Sequence, residues 1–161
     1  MRLILLIAVL LVSGSLSAQI QGTIKRVRHV SRFELAVACI KKYEGLHGPK
    51  HHPYVGYGHK LLSGERYSPR MSERQADALL RSDLRKLCAM FRSFGRDSLL
   101  LAALAYNVGC GKVMRSRMYA KMRSGNRNIY RDYVDFKRWN GKIVSSIERR
   151  RKMEYLLLFT P

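Results

Sequence analysis

The segment Ser98–Val108 limits the possible folds more than any other stretch of the chain. Leu99, Leu100, Leu101, Ala102, Ala103, Leu104 and Ala105 put apolar side chains on every side of any helix they form. A helix without a polar face is stable only when other elements surround it. The segment is also far shorter than the roughly 20 residues needed to cross a bilayer. It therefore predicts the central core helix of a domain, around which the remaining elements must pack.

Those elements are marked by caps and periodicity. Ser31-Arg-Phe-Glu34 reads as a capping box, in which hydroxyl and carboxylate exchange bonds with each other's backbone N–H. It opens a helix from about 32 to 44, with Phe33, Val37, Ile40 and Tyr43 at helical spacing and Gly45 as its stop. Ser72-Glu-Arg-Gln75 is a second box, opening a helix from about 73 to 92 with Ala76, Leu79, Leu80, Leu84, Leu87 and Phe91 on one face. Asp97 is placed to cap the core helix, and Gly109 and Gly111 to break it. Ser116 opens a short helix ending at Gly125, and another is expected at about 127–138. Ser145-Ser-Ile-Glu148 reads as a third box, starting a last helix to about 158. Residues 45–70 break this pattern. Their glycines, prolines, histidines and tyrosines predict a loop with a small β element around Tyr54–Gly58. The expected fold class is α+β and predominantly α-helical.

Ahead of this domain, Met1–Arg2 is positive, Leu3–Val12 is apolar and Ser13–Ala18 is small and polar, the layout of a signal peptide. The expected organisation is a signal peptide at 1–18, a linker at 19–30 and one domain at 31–161. The protein is then exported, to the periplasm or the extracellular space, with no stable membrane insertion after cleavage. A formal charge of +20 implies an acidic partner. Export favours the anionic polymers of a cell envelope, so no nucleic-acid partner is expected, and the protein is expected to be a monomer. Cys39, Cys88 and Cys110 allow one disulfide plus a thiol, or three buried small apolar side chains. No acid or cysteine accompanies His47, His51 and His52 in metal-binding spacing, and neither a metal nor a cofactor is expected.

The carboxylates carry the functional signal. Glu44 is the only acid between Glu34 and Glu65, at the end of the first helix facing the glycine- and histidine-rich segment. Glu34 and Glu148 are accounted for as caps. Asp77, Asp83, Asp132 and Asp135 lie among Arg and Lys on helices, where surface pairing explains them. Placement alone leaves Glu44 as either a solvated helix-end charge or a site residue.

Tyr43-Glu44-Gly45-Leu46, followed by Val55-Gly56-Tyr57-Gly58-His59, resembles the EGL and GYGH signature of phage-type lysozymes, glycoside hydrolase family 24. Ala105-Tyr-Asn-Val-Gly109, Ser116–Gly125, Phe136-Lys-Arg-Trp-Asn140 and Arg149-Arg-Arg-Lys-Met-Glu154 resemble later family segments, in family order. The resemblance implies a lysozyme-like two-lobed fold with a small β element in its front lobe. It also implies cleavage of the peptidoglycan β-1,4 bond between N-acetylmuramic acid and N-acetylglucosamine. Glu44 falls on the general acid, and one of Arg149–Arg151 is implied to hydrogen-bond it or hold its rotamer while the others are surface charge. Tyr57, His59, Asn107 and Arg150 are candidate substrate contacts, and Trp139 is expected in the core.

The chain departs from the family between its two main motifs. Relatives carry a second acid or cysteine and a threonine there, whereas this shorter segment has no Asp, Cys or Thr, and Tyr54 stands where the threonine would be. Inverting glycosidases place a second carboxylate about 6.5–9.5 Å from the first. Three solutions follow: His51 or His52 as the base (His52 with Tyr54 as the candidate pair), Glu65 folded back, or a lytic transglycosylase using Glu44 alone. A catalytically impaired wall-binding protein is the non-enzymatic alternative.

Overall fold

The computed structural model of the chain describes residues 30–160. The proposed signal peptide lies outside them, as does the proposed linker apart from Val30. Helix α1 (Arg32–Glu44) leads into a short 3-10 turn at Pro49–His51 and a hairpin of β1 (Tyr54–Val55) and β2 (His59–Lys60). Then follow α2 (Glu73–Met90), a 3-10 segment (Arg92–Asp97), α3 (Ser98–Val108), α4 (Cys110–Met114), α5 (Arg117–Arg123) and α6 (Tyr130–Val134). A second hairpin, β3 (Arg138–Trp139) and β4 (Lys142–Ile143), precedes α7 (Ser145–Leu158).

The apolar segment does form the centre. Leu100, Leu101, Ala102, Ala103 and Leu104 of α3 are fully buried. Helices α2, α1 and α7 all pack against α3, and α1 also packs on α7. The inward stripe of α2 (Ala76, Leu79, Leu80, Leu84) meets Ala36, Val37 and Ile40 of α1 in one core cluster with α3. Small residues at 102, 103 and 105 let neighbouring helices approach α3 closely. These three packings bring the end of α1, the end of α3 and the first half of α7 together.

Two caps form as expected. Ser72 and Gln75 close a reciprocal capping box on α2, and the Ser116 hydroxyl accepts the Tyr119 N–H at the start of α5. Two others do not. The Asp97 carboxylate makes no cap bond and instead receives the Arg127 guanidinium at 2.7 and 2.8 Å. Helix α7 begins at Ser145, after Val144 as its cap, so Glu148 is free to pair with Lys137 and Lys152. A charged partner within reach outweighs a neutral backbone donor for a carboxylate. Gly111 does not break a helix but sits inside α4; Gly109, at φ +86°, makes the break.

The segment expected as one helix at about 127–138 is α6 followed by a hairpin turning at Asn140-Gly141, both at positive φ. An Asn-Gly pair suits the tight hairpin turn. Trp139 consequently lies outside the core, 68% exposed. Trp139→Ala is expected to change unfolding free energy by no more than about 0.5 kcal/mol, measured by urea denaturation, where a core tryptophan would cost several times that. All three cysteines are free thiols, so no disulfide forms. Cys39 is buried, and burial first, with Glu154 adding, pushes its thiol up to about 11. No helix among the described residues is long and apolar enough to cross a membrane.

Candidate active site

Helix α1 ends at Glu44 because Gly45 takes φ +68° and its N–H bonds back to Lys41 O at 3.1 Å. A glycine in the left-handed region is the common helix stop. The chain then reverses: His47 N–H donates to Gly56 O at 2.7 Å, laying the segment after Glu44 along the first hairpin. Gly56 and Gly58 flank Tyr57 in the hairpin turn, at φ +58° and +94°. A Cβ on Gly56 would press Met71 Sδ at 3.1 Å, and one on Gly58 would stand 3.4 Å from Glu44 Oε2. The glycines of the second motif thus let the turn close against the acid of the first. Tyr106 of α3 fixes that turn by donating its hydroxyl to Tyr57 O at 2.9 Å.

Glu44 is held from the helical side. Its Oε1 accepts Arg150 Nη1 at 2.7 Å and Asn107 Nδ2 at 3.1 Å. The Glu44 side chain is 18% exposed and Arg150 only 5%, so the pair is screened from bulk water yet open to it at one edge. Burial weakens the charge on Arg150, and Glu154 and Glu44 more than offset it, so the guanidinium titrates above its ordinary range. Glu154 is fully buried and takes Arg150 Nε at 2.8 Å, Tyr133 Oη–H at 2.9 Å and Arg151 Nη1. Burial first, and then the Glu154 charge, lifts the Tyr133 phenol well above its usual range, keeping it a donor. Arg151, expected on the surface, is completely buried, and its Nη2 donates to Asn107 Oδ1 at 2.5 Å.

The other candidates separate. His59 is not free for a sugar: Nδ1 meets Asp83 at 2.6 Å and Nε2 meets Glu65 at 2.8 Å. Tyr57 is buried and its hydroxyl donates to Glu73 at 2.9 Å, so it supports the hairpin. Both of these candidate substrate contacts thus have their polar atoms engaged within the protein. Asp83, expected as a surface partner of Arg or Lys, has Lys86 at 3.9 Å and also anchors His59. Glu65 does not fold back towards Glu44; His59 and the Leu62 N–H hold it. His51 Nδ1 accepts the Gly48 N–H at 2.9 Å and its ring stacks on His47. His52 and Tyr54 are solvent-exposed, and Tyr54 meets His47 edge-on. Glu73 and Asp77 are occupied by Lys41, and Asp77 also by Arg81. Among these acids only Glu44 lies within the Arg150–Asn107 arrangement.

A hollow of about 600 Å³ borders the end of α1 at Gly45, Leu46 and Tyr57. A second, of about 480 Å³, is bordered by Arg117, Asp132, Phe136 and Arg138. Of the two carboxylates at its wall, Asp132 is held by Arg117 and Lys121 at 2.6 and 2.7 Å, and Asp135 lies 3.9 Å from Arg138. Among the described residues no cluster of three or more His, Cys, Asp or Glu could hold a metal ion.

The family model for phage lysozymes matches residues 41–154, which span Glu44, the hairpin turn, Asn107 and Arg150. The chain belongs to the phage lysozyme family. Peptidoglycan cleavage of the lysozyme type is that family's activity. An endolysin of Bacillus phage B103 is 29% identical over 148 residues, covering 79% of this chain and 53% of that protein. The chain therefore spans about half the length of the curated relative it matches. Two solved structures share the fold. The muramidase domain of SpmX from Asticaccaulis excentricus has a TM-score of 0.65 at 24% identity, covering 79% of this chain and 96% of that one. The endolysin from Escherichia coli O157:H7 phage FAHEc1 has a TM-score of 0.62 at 20% identity, covering 81% and 94%.

Within this lysozyme-type fold, the His59 bridge makes stability pH-dependent. Burial opposes a charge on His59, but Glu65 and Asp83 outweigh it and raise its titration above the ordinary value of about 6.5. The folded state thus binds that proton more tightly than the unfolded one. The stabilisation is complete below about pH 6.5 and is lost as pH rises through the raised value. Tm is expected to fall by a few degrees across that alkaline window, and His59→Gln should flatten the fall. A wild-type Tm that is unchanged or rising over the same window would contradict the bridge.

Proposed function

We propose that this phage-lysozyme-family chain is an exported glycosidase. It cuts the β-1,4 bond between N-acetylmuramic acid and N-acetylglucosamine in peptidoglycan, with Glu44 as general acid. The observation that carries the reading is the setting of Glu44. It is a part-buried carboxyl at the meeting point of three helices, with donors on one oxygen and a glycine turn beside the other. General acid catalysis needs a carboxyl held in one rotamer beside the leaving oxygen, and water partly excluded around it. Arg150 and Asn107 supply the fixed rotamer. The positive formal charge of +20 draws the protein to anionic wall polymers. Export rests on the signal-like residues 1–18.

A second reading has its own support. Glu65 and Asp83 are committed to His59, and Glu73 to Tyr57 and Lys41, so none of these three carboxylates is free to serve as a second acid. In the one-acid route Glu44 protonates the leaving oxygen, then takes the proton of the muramyl 6-hydroxyl as that oxygen attacks the anomeric carbon. Mass spectrometry of purified peptidoglycan after digestion separates the two. Hydrolysis, the primary reading, gives reducing muramyl ends; transglycosylation gives 1,6-anhydromuramyl ends. If neither product appears, both readings are overturned.

A further inference from the structure

The two oxygens of Glu44 are not equivalent. Oε1 accepts two hydrogen bonds, from Arg150 Nη1 and Asn107 Nδ2, which occupies both of its in-plane lone pairs. Among the described residues no hydrogen bond reaches Oε2, which lies on the Gly58 side, where a Cβ would stand 3.4 Å away. This asymmetry depends on which way the Asn107 amide points. The oxygen and nitrogen of a carboxamide are nearly the same size, and asparagine alone could present either to Glu44. Arg151 removes the choice. A guanidinium only donates, so Oδ1 must face Arg151 Nη2 at 2.5 Å, leaving the NH2 to face Glu44. Arg151 is itself fixed, fully buried with Nη1 on Glu154. The bonds close a ring of Glu44, Arg150, Glu154, Arg151 and Asn107 linking α1, α3 and α7, with two carboxylates balancing two guanidiniums.

We propose that Arg151 is a positioning residue that acts through Asn107, and that the ring assigns the catalytic proton to Oε2 of Glu44. The inference rests on Glu44 being the general acid. In the step, the Oε2–H bond breaks and its proton passes to the glycosidic oxygen. The anomeric C–O bond breaks with its electron pair going to that oxygen, and Glu44 is left as a carboxylate. The nucleophile, water or the muramyl 6-hydroxyl, then bonds to the anomeric carbon and releases its own proton to Oε2 or to bulk water. Oε1 takes no part in the transfer because its two donors never leave it. A flipped Asn107 amide would set an oxygen against Oε1, free that atom for protonation and move the proton away from the Gly58 side.

A double-mutant cycle on purified peptidoglycan tests this, using Asn107→Ala, Arg151→Lys and the double variant. Lysine keeps the positive charge beside Glu154 but lacks the rigid fork that serves Glu154 and Asn107 together. Each single variant is expected to lower kcat by about tenfold, the worth of one charge-assisted hydrogen bond, with KM changed less than about twofold. The double variant should be no slower than Asn107→Ala, since Arg151 acts only through that amide. Losses that multiply in the double variant, or that simply track a fall in Tm, overturn the proposal. Asn107 is exposed and Asn107→Asp leaves Arg151 its acceptor, so that variant keeps the fold even if Arg151→Lys does not. Asn107→Asp retains an acceptor for Arg151 but sets a like charge against Oε1. It should lower kcat and move the alkaline limb of the kcat–pH profile upward; a wild-type kcat and limb overturn the assignment. Glu44→Gln is run in parallel. If the wild type cuts glycan, Glu44→Gln does not and the cycle is multiplicative, only the ring assignment fails; if the wild type cuts nothing, the glycosidase reading falls and this inference with it.

Discussion

Replacing Glu44 by glutamine is expected to lower kcat on purified peptidoglycan by about 10²–10⁴-fold, the usual contribution of a positioned general acid. Glutamine keeps the shape of the side chain, and its amide oxygen still accepts from Arg150 Nη1 and Asn107 Nδ2, which lie at 2.7 and 3.1 Å from the native oxygen. Its amide nitrogen falls at the Oε2 position beside Gly58 and has no acidic proton to give. The fold should be untouched, because Arg150 retains Glu154 as its buried counter-ion at 2.8 Å. The measurement is turnover of purified walls alongside far-UV circular dichroism and Tm. A folded Glu44→Gln variant with near wild-type turnover would remove Glu44 from the chemistry. Binding without turnover in both proteins would instead point to a wall-binding lysozyme fold.

Glu154→Ala is expected to cost about 3–5 kcal/mol of unfolding free energy, read from urea denaturation, the penalty for removing one partner of a buried ion pair. Glu154 is fully buried, with Arg150 and Arg151 only 4% and 0% exposed, and it is the counter-ion shared by both guanidiniums. Alanine leaves those charges facing Glu44 and Asn107 alone. Among the described residues Arg150 Nη2 and Arg151 Nε already lack hydrogen-bond partners, so little spare capacity remains to absorb the loss. The Tyr133 hydroxyl loses its acceptor as well. A loss under about 1 kcal/mol would show that water or rearrangement compensates the pair and would refute the ring as a structural unit. Activity should fall with stability, since Arg150 is then drawn off the Glu44 rotamer.

Much of this was legible before the fold. The all-apolar segment marked the centre because burial on every side admits one location. The Ser72 and Ser116 hydroxyls marked helix starts because no charged group competes for them. Asp97 and Glu148 misled for the opposite reason. Asp97 is reached by Arg127, thirty residues on, a partner that leaves no local trace, whereas Glu148 is drawn to Lys137 and to Lys152 one turn further along its own helix. Trp139 was misplaced because residues 135–138 carry a helix-like pattern while Asn140-Gly141 carries the hairpin signal, and the hairpin prevails.

At the site, an arginine from Arg149–Arg151 on Glu44 followed from the resemblance, but not that it is Arg150. The roles of Asn107, Arg151 and Glu154 did not, because nothing in their spacing shows which basic residue turns inward. One signal was available: Arg150 and Glu154 stand four apart, and Arg151 and Glu154 three apart, on the last helix. That places all three on one face of α7. The two acids on His59, Glu65 and Asp83 at 2.8 and 2.6 Å, come from a loop and from α2 and make it a brace, a role its place in the GYGH motif does not reveal.

Glycan chain length is the most direct test. Wild-type protein is incubated with purified peptidoglycan, the stem peptides are then removed enzymatically, and the strands are sized and their ends identified. Progressive shortening, with every new end that carries the anomeric carbon on muramic acid, is the outcome a Glu44 glycosidase requires. Strands that keep their full length, or that shorten with those new ends on N-acetylglucosamine, would contradict it.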